Sequence, residues 1–352
     1  MLHRNNSTVV RSQTAVRLAR VALQAAYVFS EDLGTSLAER LFTSPRRHRR
    51  PDRERAVLAT GRPFSIDVEL RSPRWRGERR RIAAWRWGHG PTVLLVHGWE
   101  GRGSQLGAFV EPLVRAGMSV VAFDAPGHGD SPGHRLYLAD MADCVADIAR
   151  AVGPLHAIVA HSFGAAATLL AHRRGAVDPT AFGSAASSGK AGLVDPTAHP
   201  FGSAASPGKA GLVDARRNVM IAPNALIGDV VAQFARRVGL DDADRAQFEL
   251  QLASHNGVAL DALGIEQLVG RRDAALLVVH DRDDREVPFV HGERLAAVWR
   301  NATLHATRGL GHRRILRDAA VIDEVVAFAG HGIAAPVSEL VREVDRLLAD
   351  GR

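Results

Sequence analysis

A serine set between two kinds of local structure is the chain's first candidate for chemistry. Ser162 lies in Ala160-His161-Ser162-Phe163-Gly164, after the apolar run Leu155 to Val159 and before the small-residue stretch Ala165 to His172. A strand that turns sharply into a helix holds such a hydroxyl clear of both elements, and the helix N-terminus behind it favours negative charge nearby. The five residues match Gly-x-Ser-x-Gly except that Ala160 replaces the first glycine; small residues are needed there because the turn brings backbone segments together. A serine becomes nucleophilic at neutral pH only with a base, and the base needs an orienting acid. Asp284, in His280-Asp-Arg-Asp-Asp284-Arg-Glu-Val287-Pro288, and His312, in Leu310-Gly311-His312, supply those types. Asp281 and Asp283 crowd the same loop and stay open as alternatives to Asp284. The chain order Ser162, Asp284, His312 is one of the three common orders of such a triad and excludes the other two.

These residues need a scaffold that brings three distant loops to one edge. Two runs alternate polar and apolar residues, Phe64 to Leu70 and Arg80 to Trp87, as an antiparallel edge pair does. Short apolar runs follow at Thr92 to Val96, Ser119 to Phe123, His156 to Ala160, Val219 to Ala222, Ala275 to Val279 and Ala302 to Ala306. Helical segments separate them, as in Leu136 to Val152 and Val290 to Arg300. Alternating strand and helix predicts an α/β protein with a mostly parallel sheet covered on both faces. Residues 224–270 interrupt the rhythm with helical character and an apolar face of Val230, Val231, Phe234, Val238, Leu240, Phe248 and Leu252. Between two strands it falls above their carboxyl ends, where open α/β sheets bind ligands, so a small helical lid is expected.

With these motifs in this order, residues 64 to 330 resemble the α/β-hydrolase superfamily, in its serine esterase and lipase-like branch. His97-Gly98-Trp99 resembles the family's oxyanion loop, Asp124-Ala-Pro-Gly-His-Gly-Asp-Ser131 the loop after its next strand, Asp284-x-x-Val287-Pro288 its acid loop and Gly311-His312 its histidine loop. The acid loop departs from the family in having Asp281 where glycine is usual. The resemblance implies the α/β-hydrolase fold, with Ser162 as nucleophile, His312 as base and Asp284 as orienting acid. It implies an oxyanion hole from the backbone N–H groups of Trp99 and Phe163, and substrate contact at His97, Gly98 and Trp99. Serine at 162 argues against the haloalkane and epoxide branches, whose nucleophile is a carboxylate. Carboxylic ester hydrolysis on a small or medium acyl group is the expected activity. Thioester or amide hydrolysis, acyl transfer and a non-catalytic interaction scaffold are the alternatives, because fold and triad do not choose a substrate.

The rest of the chain sets further expectations. Residues 1–60 read as an amphipathic helix and basic linker, 61–330 as the core, and 331–352 as a C-terminal amphipathic helix. In the first segment Ala19, Leu23, Ala26, Leu33, Leu37 and Leu41 recur at three- and four-residue steps, a face for packing or for weak peripheral membrane contact. The first 81 residues carry 18 arginines against 8 acids, so a chain of net charge +7 is acidic over its remainder. No aromatic side chains interleave with Arg46-Arg47-His48-Arg49-Arg50 as stacking platforms, and no nucleic-acid partner is expected. No run reaches the ~18 apolar residues of a membrane span. Residues 176–214 hold a tandem duplication with the chain's two lysines, Lys190 and Lys209, and read as a surface loop. The single cysteine, Cys144, allows no internal disulfide. No spacing suggests a metal site or a phosphate loop, so no metal or cofactor is expected. Arginine- and alanine-rich composition fits a GC-rich bacterial genome and makes the cytoplasm the expected location. The oligomeric state is not set by any of these features.

Overall fold

A computed structural model describes residues 6–177, 215–270 and 273–333. The duplicated stretch and the C-terminal amphipathic segment fall almost wholly outside them. Eight strands form one sheet: β1 (Arg62–Leu70), β2 (Glu78–Trp87), β3 (Thr92–Val96), β4 (Ser119–Phe123), β5 (Leu155–His161), β6 (Arg217–Ile221), β7 (Ala275–Asp281) and β8 (Ala302–Thr307). Their order is β1-β2-β4-β3-β5-β6-β7-β8. β1 and β2 pair antiparallel at the edge, and every pairing from β4 across to β8 is parallel. The alternating edge pair and the six apolar runs expected from the sequence are these strands, displaced by at most two residues.

The central strands are buried on both faces, which is why they read as unbroken apolar runs. Leu94 and Val96 face one core and Val93 and Leu95 the other. Each such side chain removed from water contributes about 1.5–3 kcal/mol. Helices α5 (Leu138–Val152), α6 (Phe163–Val177) and α10 (Val290–Val298) cover the first face. Helices α4 (Val110–Arg115) and α12 (Ala319–Gly330) cover the second. Parallel register then aligns the strand ends: Val96 opposes Ala160, His161 opposes Ile221, and Asp281 opposes Thr307. The residues that follow these strands therefore emerge side by side on one edge.

Helices α1 (Asn6–Phe29), α2 (Glu31–Thr43) and α3 (Asp52–Ala59) precede the sheet. The chain folds back between α1 and α2 at Ser30, and Gly34 lets the two helices meet, since a Cβ there would sit 2.3 Å from Tyr27 Cγ. That break corrects the single continuous stripe expected for this segment. Leu23 and Ala26 are buried, but Leu33 and Leu41 are 53% and 39% exposed, because the reversal resets the helical phase. The basic linker after α2 is not a free arginine surface. Arg47 donates to the carbonyls of Gly127 and Ser131, and Arg50 pairs with Asp124 and Asp130. Between β6 and β7 the chain forms α7 (Ile227–Val238), α8 (Asp242–Asn256) and α9 (Ile265–Val269). No helix among the described residues is long and apolar enough to cross a membrane.

Candidate active site

Ser162 sits where β5 gives way to α6, with φ of +53°. That conformation is unusual for a residue with a Cβ and is held by its neighbours. The Ser162 N–H donates to Ile221 O at 3.0 Å, and its carbonyl accepts from Ala165 and Asn224. Gly164 passes so close to β3 that a Cβ would lie 2.5 Å from His97 O. Gly98 faces the serine itself, and a Cβ on it would lie only 3.0 Å from Ser162 Cβ. Ala160 is fully buried, and the turn closes with a methyl group where the motif has glycine. Glu100 and Ala222 are the other described non-glycine residues with positive φ, and both lie at neighbouring strand ends. Backbone strain is thus concentrated along this edge.

His312, on the one-turn helix α11 (Gly311–Arg314), meets Asp284 and lines the same cavity as that serine. The Nδ1–H of His312 donates to Asp284 Oδ2 at 2.7 Å, and both side chains are buried. That bond leaves Nε2 with its lone pair free to accept a proton. Asp284 Oδ1 accepts from the backbone N–H groups of Glu286 and Val287 at 2.8 and 3.0 Å. Burial works to raise its pKa, but the imidazoles of His280 and His312 and these N–H groups prevail and hold the carboxyl far below its ordinary value. Asp281 and Asp283 serve the loop instead. Asp281 accepts from Thr307 Oγ1 and the Leu310 N–H, and Asp283 accepts from the Gly309 N–H, which ties the acid loop to the loop carrying His312.

Two further histidines flank the pair, and sequence spacing did not single them out for it. His161 packs against His312 with the rings tilted and their centroids 4.6 Å apart, and donates from Nε2 to the His312 carbonyl at 3.0 Å. Burial, with the neighbouring His312, pushes its pKa down to about 3, so it stays neutral. His280, fully buried at the end of β7, points Nε2 at Val287 O at 3.1 Å and at Asp284 Oδ2 at 3.5 Å. Its position four residues before Asp284 is visible in the sequence, but the bend that turns it back is not.

The loop after β3 stands opposite. His97 is buried, donates from Nδ1 to Gly98 O at 2.7 Å and accepts at Nε2 from the Ala125 N–H at 3.0 Å. Burial lowers its pKa to about 4, so both nitrogens are committed to the backbone in the neutral form. His128 does the same for Glu100 and Pro126, its pKa pushed to about 3 by burial. Trp99 packs edge-on to Phe163 at 5.5 Å, so the two residues expected to present N–H groups are neighbours. Phe163 opens α6, where a helix leaves its first N–H groups without intrahelical partners. Ser162, His312, Trp99 and Phe163 all line one cavity of about 1190 Å³. Of the three residues expected to touch substrate, Trp99 lines it; His97 and Gly98 do not, being spent on shaping the loop.

Residues 93–324 match the model of an alpha/beta hydrolase family. The chain belongs to that family. Solved structures show the same fold at low identity. The Rv0554 protein of Mycobacterium tuberculosis is 16% identical, with a TM-score of 0.53 over 75% of this chain and 98% of its own. Est1E of Butyrivibrio proteoclasticus, solved with ferulic acid, is 13% identical, with a TM-score of 0.51 over 75% and 96%. The Pyrococcus furiosus esterase Pf2001 is 14% identical, with a TM-score of 0.51 over 83% and 98%. Among curated proteins none is similar enough in sequence to count as a relative.

In this member of the family the cavity has a roof from two distant parts of the chain. Ile227, Val231 and Phe234 contribute from the insert between β6 and β7, and Val16, Leu37 and Phe42 from the N-terminal helices. Phe42 meets Phe234 and Phe248 at ring-centroid distances of 5.0 and 5.6 Å, and those two meet at 5.4 Å. Glu39 of α2, buried, accepts from Gln251 at 2.9 Å and bonds His255 Nδ1 at 2.6 Å, both on α8. The amphipathic pattern of residues 19–41 signals that a face is buried, but not that it is buried over Ser162.

Proposed function

We propose that this protein is a carboxylic ester hydrolase working through an acyl-enzyme on Ser162. The observation that carries the reading is the 2.7 Å His312–Asp284 bond, with His312 and a serine held at positive φ lining one cavity. Ser162 Oγ attacks the ester carbonyl carbon while its proton passes to His312 Nε2. The N–H groups of Trp99 and Phe163 bind the resulting oxyanion, a contribution of about 3–4 kcal/mol per donor in comparable sites. Collapse expels the alcohol, which takes the proton from His312 and leaves the acyl group on Ser162. Water then attacks that carbonyl with His312 as base, releasing the acid and restoring the serine. Asp284 stays ionised throughout, fixing the imidazole tautomer and stabilising the imidazolium. Ester chemistry is also what the name of the Pf2001 esterase records.

The test is hydrolysis of p-nitrophenyl esters from acetate to palmitate by wild type and Ser162→Ala. Turnover that vanishes in the variant, with an unchanged melting curve, is expected. Retained turnover in Ser162→Ala overturns the serine mechanism, and a folded wild type inert to every ester overturns the ester reading.

A further inference from the structure

The charge around the cavity is one-sided. Eight arginines and three glutamates line it, with no lysine and no aspartate among the described residues. Each glutamate is already taken by an arginine of the same lining. Glu54 accepts from the buried Arg102 at 2.6 Å, Glu100 from Arg46 at 3.0 Å, and Glu286 from Arg313 at 3.0 Å. Among the described residues Arg40, Arg49, Arg53 and Arg317 are left without a carboxylate.

Three of these four share one stretch of rim. Arg53 lies on α3, which packs on the short helix Gly103–Phe109. Arg317 ends the turn Ile315–Arg317, which packs on that same helix. Arg49 enters α3 from the linker that Arg46 and His48 pin to Glu100, one residue past Trp99. All three are exposed, so water and ions reach them, while the cap above is lined by Leu37, Phe42, Val231 and Phe234. A guanidinium binds phosphate bidentately, and several of one sign around a cleft concentrate the field at its mouth. An apolar roof with a cationic rim suits an amphiphile with the ester bond between the two.

We infer that the Arg49, Arg53 and Arg317 rim is a subsite for a phosphate group on the alcohol side of an acyl ester or thioester, with the acyl chain under the cap. The inference rests on Ser162 being the nucleophile. The scissile bond lies over the serine, the apolar acyl part runs toward Phe42 and Phe234, and the phosphorylated leaving group sits at the rim. Release of that leaving group follows from acyl transfer to Ser162, so no further reactant is needed.

A matched pair of substrates isolates the phosphate: octanoyl glycerol and octanoyl glycerol phosphate share acyl chain and ester bond. The expected kcat/KM ratio favours the phosphate by at least about tenfold, in line with one or two charge-assisted contacts. The ratio shrinks with added salt, because the rim is exposed. In the triple variant Arg49→Gln/Arg53→Gln/Arg317→Gln it falls to about one. Octanoyl coenzyme A forms the second arm. Preference for it over the glycerol phosphate assigns the phosphate to a coenzyme thioester, and the reverse assigns it to a lipid headgroup. A wild-type ratio of one or below, or a ratio unmoved in the triple variant, overturns the subsite.

Binding separates this outcome from failure of the ester mechanism. With Ser162→Ala, the non-hydrolysable octyl glycerol ether phosphate is expected to bind at least about tenfold tighter than the neutral ether, and equally once the three arginines are replaced. Equal binding before replacement overturns the subsite whatever the enzyme's turnover. Inert p-nitrophenyl esters with phosphate-selective binding overturn only the ester reading.

Discussion

The floor of the cavity and its roof are held by different means. Along the strand ends, main-chain groups do most of the positioning: Ile221 O on Ser162, the Gly98 and Ala125 backbone on His97, and two N–H groups on Asp284. These bonds join segments that the parallel register has already aligned, and many side chains of the right size satisfy them. In the roof the joints are side chain to side chain, across more than 190 residues for Phe42 with Phe234 and Phe248, and more than 210 for Glu39 with Gln251 and His255. The proposed chemistry therefore rests on local turns, whereas the shape of the cavity depends on one particular pairing of distant helices.

That contrast breaks most sharply at Asp284, the proposed acid. Asp284→Asn is expected to lower kcat on the order of 10⁴-fold by favouring the wrong imidazole tautomer. Asp281→Asn, whose contacts are to Thr307 and Leu310, should reduce kcat far less and lower the melting temperature instead. Equal losses in the two variants would show that the loop, not the His312 bond, is what Asp284 supplies. A backbone change comes next. Gly164→Ala places a Cβ 2.5 Å from His97 O and 2.8 Å from Val96 O, so the turn must move, at a cost of about 1–3 kcal/mol. Thermal denaturation alongside kcat checks whether stability and turnover fall together.

The roof gives smaller, differently shaped effects. Glu39→Ala leaves Gln251 and His255 without their carboxylate, a loss of about 1–3 kcal/mol. KM for long-chain esters should rise with little change in kcat for acetate; a kcat loss on acetate would mean that roof and floor are one unit. The gentlest probe is pH. His97 and His291 are pushed to about 4, and His128 and His161 to about 3, chiefly by burial. Unfolding returns each to about 6.5, so their contribution is complete above that pH and is lost as pH falls toward 4, where the unfolded chain binds more protons. Asp143, raised to about 7 by burial, works in the opposite sense, as do Asp124 and Asp140, which burial also raises. The melting temperature is expected to drop between pH 6.5 and 4, and scans across that window check it.

Much of the floor was legible because its signals are local. Strand runs, the order of Ser162, Asp284 and His312, and the expectation of loops at one edge all come from short stretches. Three aspartates in four residues were not separable by spacing, and only the bend that delivers Asp284 to His312 distinguishes them. The roof was legible only in half. An apolar face on residues 224–270 marks a cap, but the reversal at Ser30 broke the stripe assumed for residues 19–41, and periodicity names no partner for a buried face. The arginines of the linker read as a charge run because their acceptors, Gly127, Ser131, Asp124 and Asp130, lie 74 to 84 residues away.

The bonds of Glu39 to α8 bear on how molecules come and go. Two separately anchored helices would open independently, each admitting small visitors on its own schedule. Bolted together, the pair is one piece of wall with its supports in distant parts of the chain. A molecule too large for the gaps around that wall has to displace both helices at once.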